Sequence, residues 1–220
     1  MNLILLGAPG SGKGTEAKLL AEYYKIKEIV LGDILREEVK NNTSLGKIVS
    51  EYMNKGVLVP DDIIIKVIQE RLDSSGFVLD GFPRNLAQAE MLEEILKEKA
   101  LSLDGVIYLK VNEEKAVERL SGRRVCKNCG AIYHIVNMPP QREGICDKCG
   151  GRLIIRDDDR EETVRRRWQV FRRETFPLIS YYLKDSKLLE VDANKSKEEV
   201  FLEIKKALDS YGKDKDSSGN

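Results

Sequence analysis

The sequence is short of the groups that most acid–base and thiol chemistry needs: it has one histidine and four cysteines in 220 residues. All four cysteines lie between positions 126 and 149, where a reducing cytosol favours metal binding over disulfides. Net charge is also missing, because 37 Lys and Arg balance 37 Asp and Glu. That balance removes the overall basic field that draws proteins to nucleic acid or anionic lipid, so neither is an expected partner. No apolar run approaches the ~18 residues of a membrane span. Met1 leads straight into "NLILLG", without a charged start, a long apolar run and a small-residue cleavage site. A soluble, cytoplasmic protein is expected, monomeric by default. The length suits one main domain with small insertions, since domains run to ~100–200 residues.

What is present alternates. Short apolar runs at 2–6, 28–31, 77–80, 106–111 and 188–191 read as strands. Between them lie helical patterns such as "KGTEAKLLAEYY", "NLAQAEMLEEILKEK" and "EEKAVERL". Buried strands alternating with amphipathic helices imply an α/β fold, a parallel sheet covered on both faces. Two stretches break the rhythm: 32–60 repeats helical patterns with no strand, and 123 to about 158 is rich in Cys, Gly, Pro and Arg. Both read as insertions at the sheet edge. From Arg160 one long helix is expected, with Val164, Trp168 and Phe171 as its apolar stripe, and the polar tail from Gly212 is expected to fray.

"GAPGSGKGT" (7–15) fits G-x-x-x-x-G-K and sits between an apolar strand and a helix start. Backbone N–H groups at such a turn and the helix dipole together form a nest for phosphate, and Lys13 reaches the outer phosphates. Gly14 follows Lys13, so the hydroxyl usually offered to Mg²⁺ moves to Thr15. Asp80, at the end of the strand "FVLD", is placed to orient water on such a metal; a turn cap is the plainer reading.

Arginines cluster around this loop in the sequence. Arg84 follows Pro83 at a strand end, Arg36 closes "LGDILR", Arg119, Arg123 and Arg124 precede the cysteines, and Arg156 and Arg167 follow them. Solvated helix faces account for Arg165, Arg166, Arg172 and Arg173 but poorly for those at loop junctions. Cys126-x₂-Cys129 and Cys146-x₂-Cys149 are separated by sixteen residues, and each pair is followed by glycine. The spacing fits a four-thiolate zinc site with no open position, hence a structural metal; two disulfides are the alternative.

In this order, "GAPGSGKGT", "GDILR", "GVLVPDDI", "GFVLDGFPRNLAQAE", "RLSGRRVC", "IYH" and "RDDDREETVRRR" resemble the adenylate kinase family, in the long form whose lid binds zinc. The resemblance implies a P-loop NTPase-type three-layer fold with two inserted lobes. The core would be 1–30, 60–122 and 160–220, the AMP-binding insertion 31–59, and the zinc-binding lid 123–159. It implies reversible phosphoryl transfer from ATP to AMP with Mg²⁺, giving two ADP. ATP would be held by Gly10, Ser11, Gly12, Lys13, Gly14 and Thr15, by Arg119 on the adenine and Arg123 on the phosphates, and by Ile132, Tyr133 and Lys195. AMP would be held by Leu31, Arg36, Val57, Leu58, Val59, Gly81, Phe82, Pro83 and Arg84, with Gln88 reading the adenine edge. Arg156 and Arg167 would grip the phosphates between the nucleotides, and Asp158 and Asp159 would pair with those arginines as the lid closes.

Two positions depart from the family pattern. Leu31 stands where a hydroxyl residue is usual, and Ala193 where a glycine is common. Three other readings are weaker. A nucleotide-hydrolysing switch leaves the second arginine group unexplained. A zinc-ribbon nucleic-acid binder needs a basic, aromatic-lined surface, whereas Tyr133 is the only aromatic residue of the cysteine segment. A kinase for UMP, CMP or GMP is opposed by Gln88.

Overall fold

The computed structural model describes the backbone of residues 1–184 and 187–217, and side chains as far as Ser210. The last expected tail residues, 218–220, lie outside the described residues. The chain opens with β1 (Asn2–Gly7), passes through a glycine loop into α1 (Lys13–Tyr24), and returns as β2 (Lys27–Val30). Three helices follow without a strand: α2 (Leu31–Lys40), α3 (Ser44–Lys55) and α4 (Asp61–Gln69). Then come β3 (Phe77–Asp80), α5 (Leu86–Glu98), β4 (Gly105–Lys110) and α6 (Glu113–Ser121).

The cysteine segment holds three short strands, β5 (Arg123–Cys126), β6 (Ile132–His134) and β7 (Leu153–Ile154), and ends in a 3₁₀ turn at Asp157–Asp159. Helices α7 (Glu161–Val170) and α8 (Pro177–Lys184), strand β8 (Leu188–Asp192) and α9 (Lys197–Ser217) complete the chain.

The main sheet runs β2-β3-β1-β4-β8 with every pairing parallel. Its sequence logic is visible in β1. Leu3 and Leu5 join one apolar cluster, with Val78, Ile107 and Leu109, while Ile4 and Leu6 join the other, with Phe77, Leu79, Val106 and Tyr108. Side chains alternate across a strand, so a run without polar residues needs helices on both faces. Each such Leu or Ile contributes ~1.5–3 kcal/mol relative to exposure, which ties the central strands to both helical layers.

The chain leaves β1 in one direction to build β2 and β3, then crosses to β4 on the other side. That reversal puts a crevice beyond the carboxyl ends of β1 and β3, the place where open α/β sheets bind ligands. Gly7 and Asp80 end those two strands.

Three sequence expectations change. Leu31 is not the last residue of β2; it opens α2, with its side chain buried. The helix expected from Arg160 is not continuous. After Val170 a π turn spans Phe171–Thr175, with Phe176 N–H donating to the Phe171 carbonyl five residues back at 2.8 Å. Pro177, whose fixed φ suits a first helical position, then starts α8. Val164, Trp168 and Phe171 are all buried, as the stripe required. The tail expected to fray from Gly212 carries on as α9 backbone to Ser217.

The second sheet, β6-β5-β7, is antiparallel. Its strands are too short to show alternation in sequence, and its apolar cluster is only Cys126, Tyr133, Cys146 and Leu153 with Ala131 beside it.

Candidate active site

The glycine loop is built for close backbone approach. Gly12 has φ +95° and Gly10 φ +83°, values a side chain resists, and a Cβ on Gly10 would come within 2.6 Å of the Ala116 carbonyl. Lys13 folds back along the loop, its Nζ donating to the carbonyls of Gly7 at 2.8 Å and Ala8 at 3.0 Å. Burial lowers the Lys13 pKa to about 8, with Asp80 opposing the shift and Arg84, Arg167 and Arg123 adding to it. Trp168 braces the outside of the loop through Nε1–H to the Pro9 carbonyl, 3.1 Å. In the sequence this tryptophan reads only as core.

A cleft of about 900 Å³ opens over the loop. Every residue from Gly10 to Thr15 lines it, as do Arg119, Arg123, Ile132, Tyr133 and Lys195. A smaller cavity beside it is lined by Leu31, Arg36, Val57, Leu58, Val59, Arg84, Gln88, Asp158 and Arg167. Arg36, Arg84 and Arg167 line both, so guanidinium groups form the wall between the two spaces. Gly81, Pro83, Arg156 and Asp80 face the large cleft. Phe82, expected at the AMP site, does not: it is fully buried in the apolar core and lines neither space.

Opposed charges hold the wall in place. Arg123 meets Asp159 at two points, Nε to Oδ2 at 2.8 Å and Nη2 to Oδ1 at 2.5 Å. Arg167 donates to both the carboxylate (2.9 Å) and the carbonyl (3.0 Å) of Asp158, and Arg36 lies 3.9 Å from that carboxylate. Asp33 accepts from Arg36 at 2.5 Å and lies 3.6 Å from Arg156. Arg84 Nε–H donates to the Gly81 carbonyl, and its own carbonyl accepts from Thr175 Oγ1–H at 2.7 Å, a contact the π turn delivers.

Burial and like-charge neighbours weaken protonation of Arg84, Arg156 and Arg167. Arg84 is lowered to about 10 by burial and then Arg167, and Arg156 to about 10 by burial and then Arg36 and Arg123. For Asp158 burial works against ionisation, but Arg167, Arg36, Arg123 and Arg156 together outweigh it and hold the carboxyl below its usual range. Asp80 is raised, because burial exceeds the pull of Lys13 and Arg84. Guanidinium groups and Lys13 gathered on one cleft, even with Asp33, Asp158 and Asp159 beside them, suit a polyanion.

The four cysteines lie apart from this wall. Their sulfurs lie within 4.8 Å of one another, with Cys126–Cys149 at 3.5 Å and Cys129–Cys146 at 3.6 Å. A disulfide needs about 2.05 Å, whereas a tetrahedron with metal–sulfur bonds of about 2.3 Å puts sulfurs roughly 3.8 Å apart. Each knuckle turns on a glycine with positive φ, Gly130 donating to the Cys126 carbonyl and Gly150 to that of Cys146. The arrangement can hold one metal ion. His134 is engaged elsewhere: its Nδ1 accepts from the N–H groups of Val136 and Asn137, both at 3.1 Å.

Sequence reading missed Asp33 and Asp61. Asp33 sits inside "GDILR", three residues before Arg36, but nothing local points to its second partner, Arg156. Asp61 bonds to Gln88, twenty-seven residues away, and no local pattern announces that contact.

Comparison with known proteins places these features together. Residues 5–187 match the sequence model of the family described as adenylate kinase. An adenylate kinase of Archaeoglobus fulgidus is 53% identical over 213 residues, covering 95% of this chain and 98% of the relative. One from Thermoanaerobacter sp. strain X514 is 50% identical over 217 residues, 97% and 100% of the two chains. A third, from Caldicellulosiruptor bescii, is 50% identical over 212 residues, 94% and 99%.

Proposed function

The chain belongs to the adenylate kinase family, and we infer from this that it transfers a phosphoryl group reversibly from ATP to AMP, giving two ADP. The observation that carries the mechanism is the shared wall of Arg36, Arg84 and Arg167 between the loop-lined cleft and the smaller cavity. A group passing between two bound nucleotides must cross that wall.

Phosphoryl transfer asks little covalent help of the protein; catalysis is positioning and neutralisation of charge on the moving group. In our reading the nest Gly10–Thr15 and Lys13 hold the ATP phosphates, with Arg119, Ile132, Tyr133 and Lys195 around the nucleoside. The smaller cavity takes AMP. Its apolar wall of Leu31, Val59 and Ile64 suits a flat base, and the adjoining Arg36 and Arg84 meet its phosphate. An AMP phosphate oxygen then attacks the terminal phosphorus of ATP in line, and ADP leaves. Arg84, Arg123, Arg156 and Arg167 stabilise the charge on the transferred group with paired N–H donors.

The acidic residues have two roles in this scheme. Asp158 and Asp159 hold Arg167 and Arg123 until phosphate oxygens replace them as acceptors, which couples nucleotide binding to movement of the 123–159 segment. Asp80 faces the cleft beside Lys13, where its carboxylate can orient water bound to Mg²⁺. Mg²⁺ bound with ATP would supply charge neutralisation at the phosphates that Lys13 and the nest hold.

The cysteine cluster is read as a structural zinc site. Its four thiolates leave no position for substrate, and so small an apolar cluster gives the segment little core of its own. Among the described residues no helix is long and apolar enough to cross a membrane. A cytoplasmic monomer acting on free nucleotides, with no nucleic-acid or membrane partner, fits this reading.

The test is a coupled assay with ATP and AMP, CMP, UMP or GMP in turn. AMP is expected to be the best acceptor by a wide margin. Faster turnover with another monophosphate overturns the assignment.

A further inference from the structure

The Gln88 side chain is 2% exposed and lies in the wall of the smaller cavity, so its carboxamide can read a base only in the orientation its buried neighbours allow. Two neighbours act on it. The Arg84 N–H donates to Gln88 Oε1 at 2.7 Å, and Gln88 Nε2–H donates to Asp61 Oδ1 at 2.6 Å. Turning the amide over would set Oε1 against the Asp61 carboxylate and Nε2–H against the Arg84 N–H. Both contacts would become repulsive, so the amide has one allowed orientation.

Asp61 is itself fixed. Asn85 Nδ2–H reaches both of its carboxylate oxygens at 3.1 Å, and Asn85 Oδ1 caps α5 by accepting the Gln88 N–H at 2.8 Å. Asp61 is the first residue of α4 and does not line the cavity. It acts from behind the wall.

Orientation matters because a carboxamide is chemically two-faced. Turned one way it offers an acceptor to an amino group and a donor to a ring nitrogen, which suits adenine; turned the other way it suits a purine with oxygen at position 6. A free glutamine can serve either base by flipping. We propose that Asp61 is a specificity-determining positioning residue, which locks the Gln88 carboxamide so that Oε1 presents an acceptor lone pair to the 6-amino group of AMP and rejects 6-oxopurine monophosphates. The proposal rests on the reading that Gln88 faces the AMP base. It adds the residue that makes this contact selective.

IMP is the probe, because it differs from AMP at position 6 and in the N1 proton that goes with it. The quantity read is the ratio of kcat/KM for AMP to that for IMP, with ATP as donor. Asp61→Ala should lower this ratio at least ~10-fold, through KM more than kcat, since a well-placed pair of base contacts is worth about that or more. Asp61→Asn keeps an acceptor for Gln88 but loses the charge, so it should retain the ratio within ~3-fold. A mere helix-dipole role for Asp61 would make the Ala and Asn variants alike, and a general loosening would reduce both substrates equally; either result overturns the proposal. If Asp61→Ala does not fold, Asp61→Ser carries the same expectation.

Gln88→Ala separates the two levels of the argument. A large rise in KM for AMP in that variant, with an unchanged ratio in Asp61→Ala, would sink the lock and leave the base contact standing. An unchanged KM for AMP in Gln88→Ala would sink the base contact and the lock with it.

Discussion

Arg123 and Asp159 form a two-point ion pair whose acidic partner has no exposed side-chain surface, while the arginine keeps 20% of its own. The arginine can turn toward the cleft, but the carboxylate has no solvent to turn to. Arg123→Ala therefore does two things at once. It removes a charge from the transferred group, lowering kcat by at least ~10²-fold. It also removes the two-point partner of a buried carboxylate, leaving it Arg167 at 3.8 Å, so the stability loss should fall below the about 3–5 kcal/mol of a fully stranded buried charge. Adding Asp159→Asn should recover most of the melting temperature and none of kcat. Arg84→Ala, which breaks no comparable pair, should show the kcat loss without the large stability loss. Near-normal turnover in both single variants would refute the arginine wall.

Leu31 occupies the place of the usual hydroxyl residue and is 3% exposed, packed in the main apolar cluster while lining the smaller cavity. Leu31→Thr should change KM for AMP by less than tenfold, under ~1.4 kcal/mol, and lower the melting temperature through lost packing. A larger gain in AMP affinity would mean that the cavity has drifted from its substrate.

Glu16 is 2% exposed, and its Oε2 is a buried oxygen without a hydrogen-bond partner among the described residues. Burial, and then the nearby Glu198, raise its pKa from 4.5 to about 7. A carboxyl raised in the folded state favours folding while protonated. Its contribution is complete below about pH 4.5 and is lost as the pH climbs through about 7. Thermal unfolding of wild type and Glu16→Gln should thus nearly coincide at pH 4 and separate progressively up to pH 8, with the glutamine variant the more stable. Parallel curves across that range would show that Glu16 does not titrate there.

Replacing Cys126 and Cys129 by Ser should abolish zinc in elemental analysis and lower the melting temperature, leaving measurable turnover at low temperature. The sulfurs lie within 4.8 Å of one another, and in our reading four thiolates would leave a bound zinc no open position for substrate. A folded, metal-free variant without activity would contradict this.

Much of this was legible in the sequence because its signals are local. The strand–loop–helix context of "GAPGSGKGT" gives β1, the nest and Lys13, and the apolar runs give all five strands of the main sheet to within a residue or two. The cysteine spacing gives four sulfurs in one cluster. What stayed hidden depends on contacts across the fold. The π turn at Phe171–Thr175 continues the Arg- and Glu-rich composition of α7 without a break, and its role shows only in the Thr175–Arg84 bond. Asp33 and Asp61 look like ordinary first-turn acids, yet one pairs with Arg36 and Arg156 and the other holds Gln88. Trp168 fits an apolar stripe equally well with or without its bond to Pro9.

The central claim is transfer between two nucleotides across a wall of arginines, and the most direct measurement is the stoichiometry and acceptor dependence of ADP formation. With ATP and AMP together, two ADP should appear for each AMP consumed, and ATP alone should yield almost none. ADP release from ATP at a similar rate without AMP would contradict the account and make the chain a nucleotide hydrolase.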